Sequence, residues 1–221
     1  MNEIKIDKII RSRRKTISLS VCPDATLTIR AAPWVSLTYI KDLVFKKRFW
    51  ILKKKKQILE RGAVRAKEFV EGEEFFYLGE KYKLKICDSR EIRLADALYF
   101  PVNFLGNAKE KMAEWYKERT REIIAKRVDC YSEITGWKFK SVSVTGAARR
   151  WGSCSQSDSL NFSFRLAMVP PEVIDYVVAH ELAHISEKNH SARFWNKVRA
   201  VLPDYQVRRK WLRENERNLK I

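Results

Sequence analysis

The chain has no closely spaced pair of cysteines, no long apolar run and almost no histidine, and each scarcity excludes a class of protein. Its four cysteines, Cys22, Cys87, Cys130 and Cys154, lie far apart and form no CxxC pair. That spacing argues against a structural zinc knuckle and against a disulfide framework, and suits a reducing cytosol. The N-terminal stretch MNEIKIDKIIRSRRK lacks the apolar core of a signal peptide, and nothing downstream approaches the roughly 20 apolar residues that span a bilayer. The expectation is a soluble, cytoplasmic protein with no membrane partner. Internal repeats are absent, and the only low-complexity tract is a lysine run.

What is plentiful is positive charge. The 221 residues are 45% hydrophobic, enough for one large core or two small ones. The formal net charge is +18, and residues 1–70 hold 18 Lys and Arg against 6 Asp and Glu. Such a field attracts polyanions, so nucleic acid is a candidate partner. The plainer reading is a solvated basic helix face, and no nucleic-acid-binding motif is recognisable.

Alternation of apolar and polar residues over Thr16–Ile29, around Pro23-Asp24-Ala25, predicts a β-hairpin. From Leu37 to about Phe69 there is no proline and only Gly62, which favours a basic helix that includes Lys53 to Lys56. Strands are expected through Glu74–Ile86, turning at Gly79-Glu80, and through Ile92–Val102. Asn107 can cap a long helix to about Ile134, with Met112, Trp115, Tyr116, Ile123, Ile124 and Val128 on its apolar side and Gly136 to end it. Ser141–Thr145 and Ser159–Phe164 read as two strands that should pair antiparallel. Pro171 then starts a helix carrying EVIDYVVAHELAHI.

That helix carries the chemistry. Residues four apart share a helix face, so His180 and His184 can present two imidazoles to one ion, while Glu181 is rotated toward a water on that ion. This is the HExxH arrangement of zinc hydrolases. The composition adds to it: the chain has three histidines in all, His180, His184 and His190. A catalytic zinc takes three protein ligands and keeps one position open. Six residues separate His184 from His190, enough to leave the helix and fold back, with a left-handed turn at Asn189 as one route. In the alternative, His190 is an exposed loop residue and Glu187 or a later carboxylate is the third ligand.

Several separated stretches, RSRRKTISLSV, FYLGEKYKL, RRWGSCS, YVVAHELAHISEKNHSARFW and LPDYQVRRKWL, together resemble the YgjP-like metallopeptidases, a family related to SprT-like proteases and more distantly to other zincins. The resemblance implies that Zn(2+) is held by His180, His184 and His190, that Glu181 is the catalytic glutamate, and that an antiparallel sheet packs beside the HExxH helix. With the element reading, the expected fold class is α+β. A β-rich region with a basic helix (1–104) precedes a zincin-like catalytic domain (105–221).

The predicted activity is peptide-bond hydrolysis of a protein or peptide substrate by zinc-activated water, with Glu181 as general base. Arg149, Arg150 and Tyr205 are candidates to position the substrate or stabilise an oxyanion. Trp151, Phe194 and Trp195 read as packing around the site. Cys154 reads as a structural thiol, since no histidine remains to activate it. Two competing readings stand beside this: a metal-dependent hydrolase of nucleotides or other phosphoanhydrides, and a nucleic-acid-associated protease recruited by its basic region.

Overall fold

Strand order in the N-terminal part follows from burial. In the computed structural model, which describes residues 4–22, 24–60, 67–147 and 150–221, Leu27, Ile29 and Ala31 are fully buried. Their strand β3 (Leu27–Ala31) is accordingly the central one, flanked by β1 (Lys8–Arg11), parallel to it, and β2 (Ser18–Val21), antiparallel to it. The β2–β3 pair is the hairpin expected from the alternating pattern. The long helix expected from Leu37 to about Phe69 is instead two helices, α1 (Leu37–Lys46) and α2 (Arg48–Glu60), broken at Lys47. Residues 67–70 are not helical, and 61–66 lie outside the described residues. Ser36 caps α1 by accepting from the Tyr39 N–H. Ile40, Val44 and Ile51 close a small core over the sheet.

The chain divides into two compact units, Met1–Arg65 and Ala66–Ile221, whereas the sequence pattern suggested a division near residue 104. Packing accounts for the difference. Phe75, Leu84, Leu98 and Phe100, from the strands preceding residue 104, share one core with Met112, Trp115, Ile174 and Leu182. Local alternation identifies a strand but does not say which core its inner face joins.

In the second unit, β4 (Glu74–Tyr77), β5 (Glu80–Cys87), β6 (Arg93–Leu94) and β7 (Leu98–Pro101) form a sheet in the order β4-β5-β7-β6. The 28-residue helix α3 (Ala108–Thr135) begins after Asn107 and ends at Gly136, which is left-handed at φ 72° and donates its N–H to Ser132 O. Tyr116 and Thr120 on α3 donate to the carbonyls of Phe76 and Phe164, at 2.6 and 2.7 Å. These bonds pin the helix to β4 and to a short 3-10 turn at Phe164–Met168.

The second sheet, of β8 (Ser141–Thr145), β9 (Gly152–Cys154) and β10 (Ser159–Ser163), corrects an expectation. β8 and β10 pair parallel rather than antiparallel. The antiparallel partner of β10 is β9, through a turn with Asp158 at φ 58°. β9 is only Gly-Ser-Cys, with none of the residues that mark strands, so the hairpin is invisible in the sequence, and inserting it reverses the relation of β8 to β10. The fold is α+β, with small sheets of mixed pairing.

Helix α4 (Pro171–Ser186) packs against α3, β9, α5 (Ala192–Val201) and α6 (Tyr205–Asn215). Its start is held by the β4–β5 turn, where Leu78 and Gly79 donate to the Ala167 and Met168 carbonyls. A Cβ on Gly79 would come within 2.7 Å of Pro170 Cγ, and its φ of +89° suits glycine. Among the described residues no helix is long and apolar enough to cross a membrane.

Candidate metal centre

α4 is buried along most of its length by Val173, Ile174, Val177, Val178 and Leu182. Such a setting gives a side chain little freedom, so residues that project from it are held in fixed places. His180 and His184 project together, with ring centroids 5.0 Å apart. α4 stops at Ser186, and the chain returns at once through Asn189, His190 and the α5 cap Ser191. Asn189 is not left-handed. Its side chain makes the turn instead, Oδ1 accepting the Ser191 N–H at 3.1 Å.

This return places His190 Nε2 3.0 Å from His180 Nε2. One ligand atom from each of the three histidines lies within 4.8 Å of the others. Tetrahedral zinc–imidazole bonds of about 2.0–2.1 Å put ligand nitrogens about 3.3 Å apart, so the cluster has the dimensions of such a site. Its tautomers also fit. His184 Nδ1 donates to Glu187 O at 3.0 Å, which leaves Nε2 with its lone pair. Burial, and after it the neighbouring His184, His190 and Arg209, pushes His180 down to about 3, and burial also lowers His184. Both rings are therefore neutral near pH 7, the form that ligates metal. His180 Nδ1 is buried with no hydrogen-bond partner among the described residues.

Phe194 on α5 is fully buried, and its ring centroid lies 4.9, 4.5 and 4.8 Å from those of His180, His184 and His190. Trp195 stacks on His190, and Tyr205 stacks on Trp195. Phe194 and Trp195 thus pack the histidines, as their sequence context suggests.

Glu181 is buried, 6% exposed, and burial pushes it up to about 8 against the opposing pull of Arg150. The wall beside it is the backbone of β9. A Cβ on Gly152 would stand 2.6 Å from Glu181 Cγ and 2.7 Å from Oε1, so only glycine leaves room for the carboxyl in this position. Gly152 is the residue of the site that the sequence marks least, because the contact joins two elements nearly thirty positions apart.

Of the other sequence candidates, Arg150 is exposed and acts electrostatically on Glu181. Arg149 lies outside the described residues. Tyr205 is buried behind Trp195, and the Gln206 amide, then Arg199, holds its hydroxyl below the usual phenol range. Burial raises the Cys154 thiol although Lys188 approaches it at 3.7 Å, which keeps it protonated and unreactive.

A cavity of about 350 Å³ opens beside His180 and Glu181. Trp151, Tyr176 and Leu212 give it apolar walls, and Arg209, Arg213 and Glu216 give it charge. Nothing in the sequence separates Arg209 and Arg213 from the other cations of α6, and only the fold turns them toward the site.

Residues 15–215 match the family described as YgjP-like, metallopeptidase domain. Among solved structures, the crystal structure of the metallopeptidase zymogen of Pyrococcus abyssi abylysin is similar over 43% of this chain and 97% of that one. The identity is 20% and the TM-score 0.39. No curated protein matches the chain.

Proposed function

Because this chain belongs to the YgjP-like metallopeptidase domain family over residues 15–215, we propose that it hydrolyses peptide bonds with one zinc ion held by His180, His184 and His190 and with Glu181 as general base. The observation that carries this reading is the convergence of three imidazoles, the chain's full set of histidines, beside one buried carboxyl. Zinc on neutral ligands keeps its full charge, which makes water acidic and polarises a carbonyl.

The remaining work falls to the chain itself. Phe194 and the Glu187 carbonyl hold the imidazoles in orientation. Glu181 accepts the proton of the attacking water on a carboxylate oxygen and returns it to the leaving nitrogen. Arg150 favours the ionised form that the first of these steps needs, and we assign it a substrate-positioning role. Tyr205 we place behind the site, as support for Trp195. The four free cysteines are consistent with a reducing cytoplasm as the protein's location.

Two variants test the reading. Glu181→Gln should keep one zinc per chain, measured by mass spectrometry of the purified protein, and lose on the order of 10²–10⁴-fold in kcat. His190→Ala should lose zinc. Turnover retained in the first variant, or zinc content unchanged in the second, would remove that residue from its role.

A second reading, hydrolysis of a phosphoanhydride, is favoured by one observation: Arg209 and Arg213 face the site with no carboxylate partner among the described residues. A peptide library and a nucleotide panel, each assayed with and without chelator, separate the two.

A further inference from the structure

Resting on the peptidase reading, we propose that the cavity beside His180 and Glu181 is a carboxylate subsite in which Arg209 and Arg213 select an acidic residue of the substrate next to the scissile bond.

Arg209 and Arg213 are four residues apart on α6, hence on one face of the helix, and both line the cavity. Their neighbour Arg208 shows how cations on this helix are ordinarily satisfied. It pairs with Asp204 at 2.9 Å and donates to the Glu172 carbonyl. Arg209 and Arg213 have no such partner among the described residues. Two like charges one turn apart repel, which a counter-anion between them would relieve.

The acid nearest to hand, Glu216, has another cation to answer. Arg165 is buried, 7% exposed. Its guanidinium stacks 4.3 Å over the Trp151 ring and its Nε donates to Ser163 Oγ, and Glu216 is the acidic group whose charge acts on it. Glu216 lines the cavity as well, but it makes no ion pair with Arg209 or Arg213 among the described residues, so neither guanidinium there is closed off by a carboxylate.

Position and shape complete the argument. Arg209 lies 4.7 Å over the Trp195 ring, which fixes its plane and leaves its edge donors free. A guanidinium so held binds a carboxylate with two parallel hydrogen bonds. The walls of Trp151, Tyr176, Val177 and Leu212 suit the methylene stem of such a side chain. Because the cavity shares His180 and Glu181 with the metal centre, its occupant is the residue adjoining the bond to be cut.

The test uses the zinc-loaded protein and fluorogenic peptides that differ only at one position flanking the cleaved bond, Glu, Gln, Lys or Phe. The Glu peptide should exceed the Gln peptide by about tenfold in kcat/KM, and the Lys peptide should be the poorest. Arg213→Gln should bring the Glu-to-Gln ratio down to within about threefold of unity, with zinc content intact. Arg213→Glu should invert the preference toward Lys. A wild-type preference for Phe or Lys, or a ratio unchanged in Arg213→Gln, overturns the proposal.

Direct binding separates this proposal from the function it rests on. Zinc-loaded Glu181→Gln protein, titrated with the same peptides and followed by tryptophan fluorescence, should bind the Glu peptide about tenfold tighter than the Gln peptide. That result with no peptide cleaved by the wild type would sink the peptidase reading and uphold the subsite. A nucleoside triphosphate that binds through Arg213 while the Glu peptide does not would overturn the carboxylate assignment.

Discussion

Residues 66–221 and residues 1–65 handle apolar surface in opposite ways. In the first of these units the aromatic side chains are drawn inward, around α3 and α4 and about the histidines. In the second, Trp34, Tyr39, Phe45, Phe49 and Trp50 are exposed, Trp34 by 75% and Phe49 by 73%. The ionisable groups divide in the same way. Neutral histidines and a carboxyl raised by burial belong to residues 66–221, whereas residues 1–65 present cations such as Lys46, Lys47 and Lys53 to solvent. Pre-organised chemistry needs a densely packed surround, and exposed aromatic and basic surface is what binding a partner needs. The contrast teaches that the two properties can be altered separately.

The sharpest way to break that contrast is at Gly152. If the site depends on close packing, Gly152→Ala should cost about 10²-fold in kcat, because its methyl would occupy space now held by the Glu181 carboxyl and displace it by roughly 1 Å. Zinc should remain bound, since the three atoms nearest the added methyl all belong to Glu181 and not to a histidine. Steady-state kinetics and metal analysis on one preparation check both halves. Wild-type turnover would mean that the base tolerates displacement and that close packing does not set the rate.

A smaller effect is expected one step further from the chemistry, at Gly79. Alanine there must take φ +89° and meet Pro170 at the start of α4. Strain of this kind costs about 1–3 kcal/mol, to be read as a fall in denaturant midpoint. For a chain of this size each kcal/mol lowers Tm by about 2–4 °C. An unchanged midpoint would show that the β4–β5 turn does not secure the helix.

How much of this was legible beforehand depends on the range of the interaction. His180, Glu181 and His184 are readable because helical periodicity converts spacing into position. His190 is readable only by accounting for every histidine. The C-terminal end of α3 is readable because Gly136 acts within a few residues of itself, whereas Asn107 stands at the N-terminal boundary without the capping hydrogen bond expected of its side chain. The parallel pairing of β8 with β10 is not, because it hinges on a three-residue strand whose sequence has no strand character. Gly152 against Glu181, and Arg209 and Arg213 against the cavity, are likewise products of packing between distant elements. The unit boundary belongs with them, since the inner faces of β4, β5 and β7 could join either core until the cores exist.

The smallest effect on the site itself should come from the cations of residues 1–65. Lys46, Lys47 and Lys53 are exposed, and no ion pair engages them among the described residues. Replacing all three with Gln should leave zinc content and kcat/KM within about twofold, since none of them belongs to the histidine cluster or lines its cavity. Where such lysines meet nucleic-acid phosphates, each contact releases a counterion and adds about 0.9 to the slope of log affinity against log salt. The triple variant should then lower that slope by up to about 2.7 for duplex DNA, measured by fluorescence anisotropy between 50 and 200 mM salt. Wild-type binding that does not weaken as salt rises would remove nucleic acid as a partner of this surface. A triple variant that also lost peptidase activity would show that the basic face and the metal centre are not separable after all.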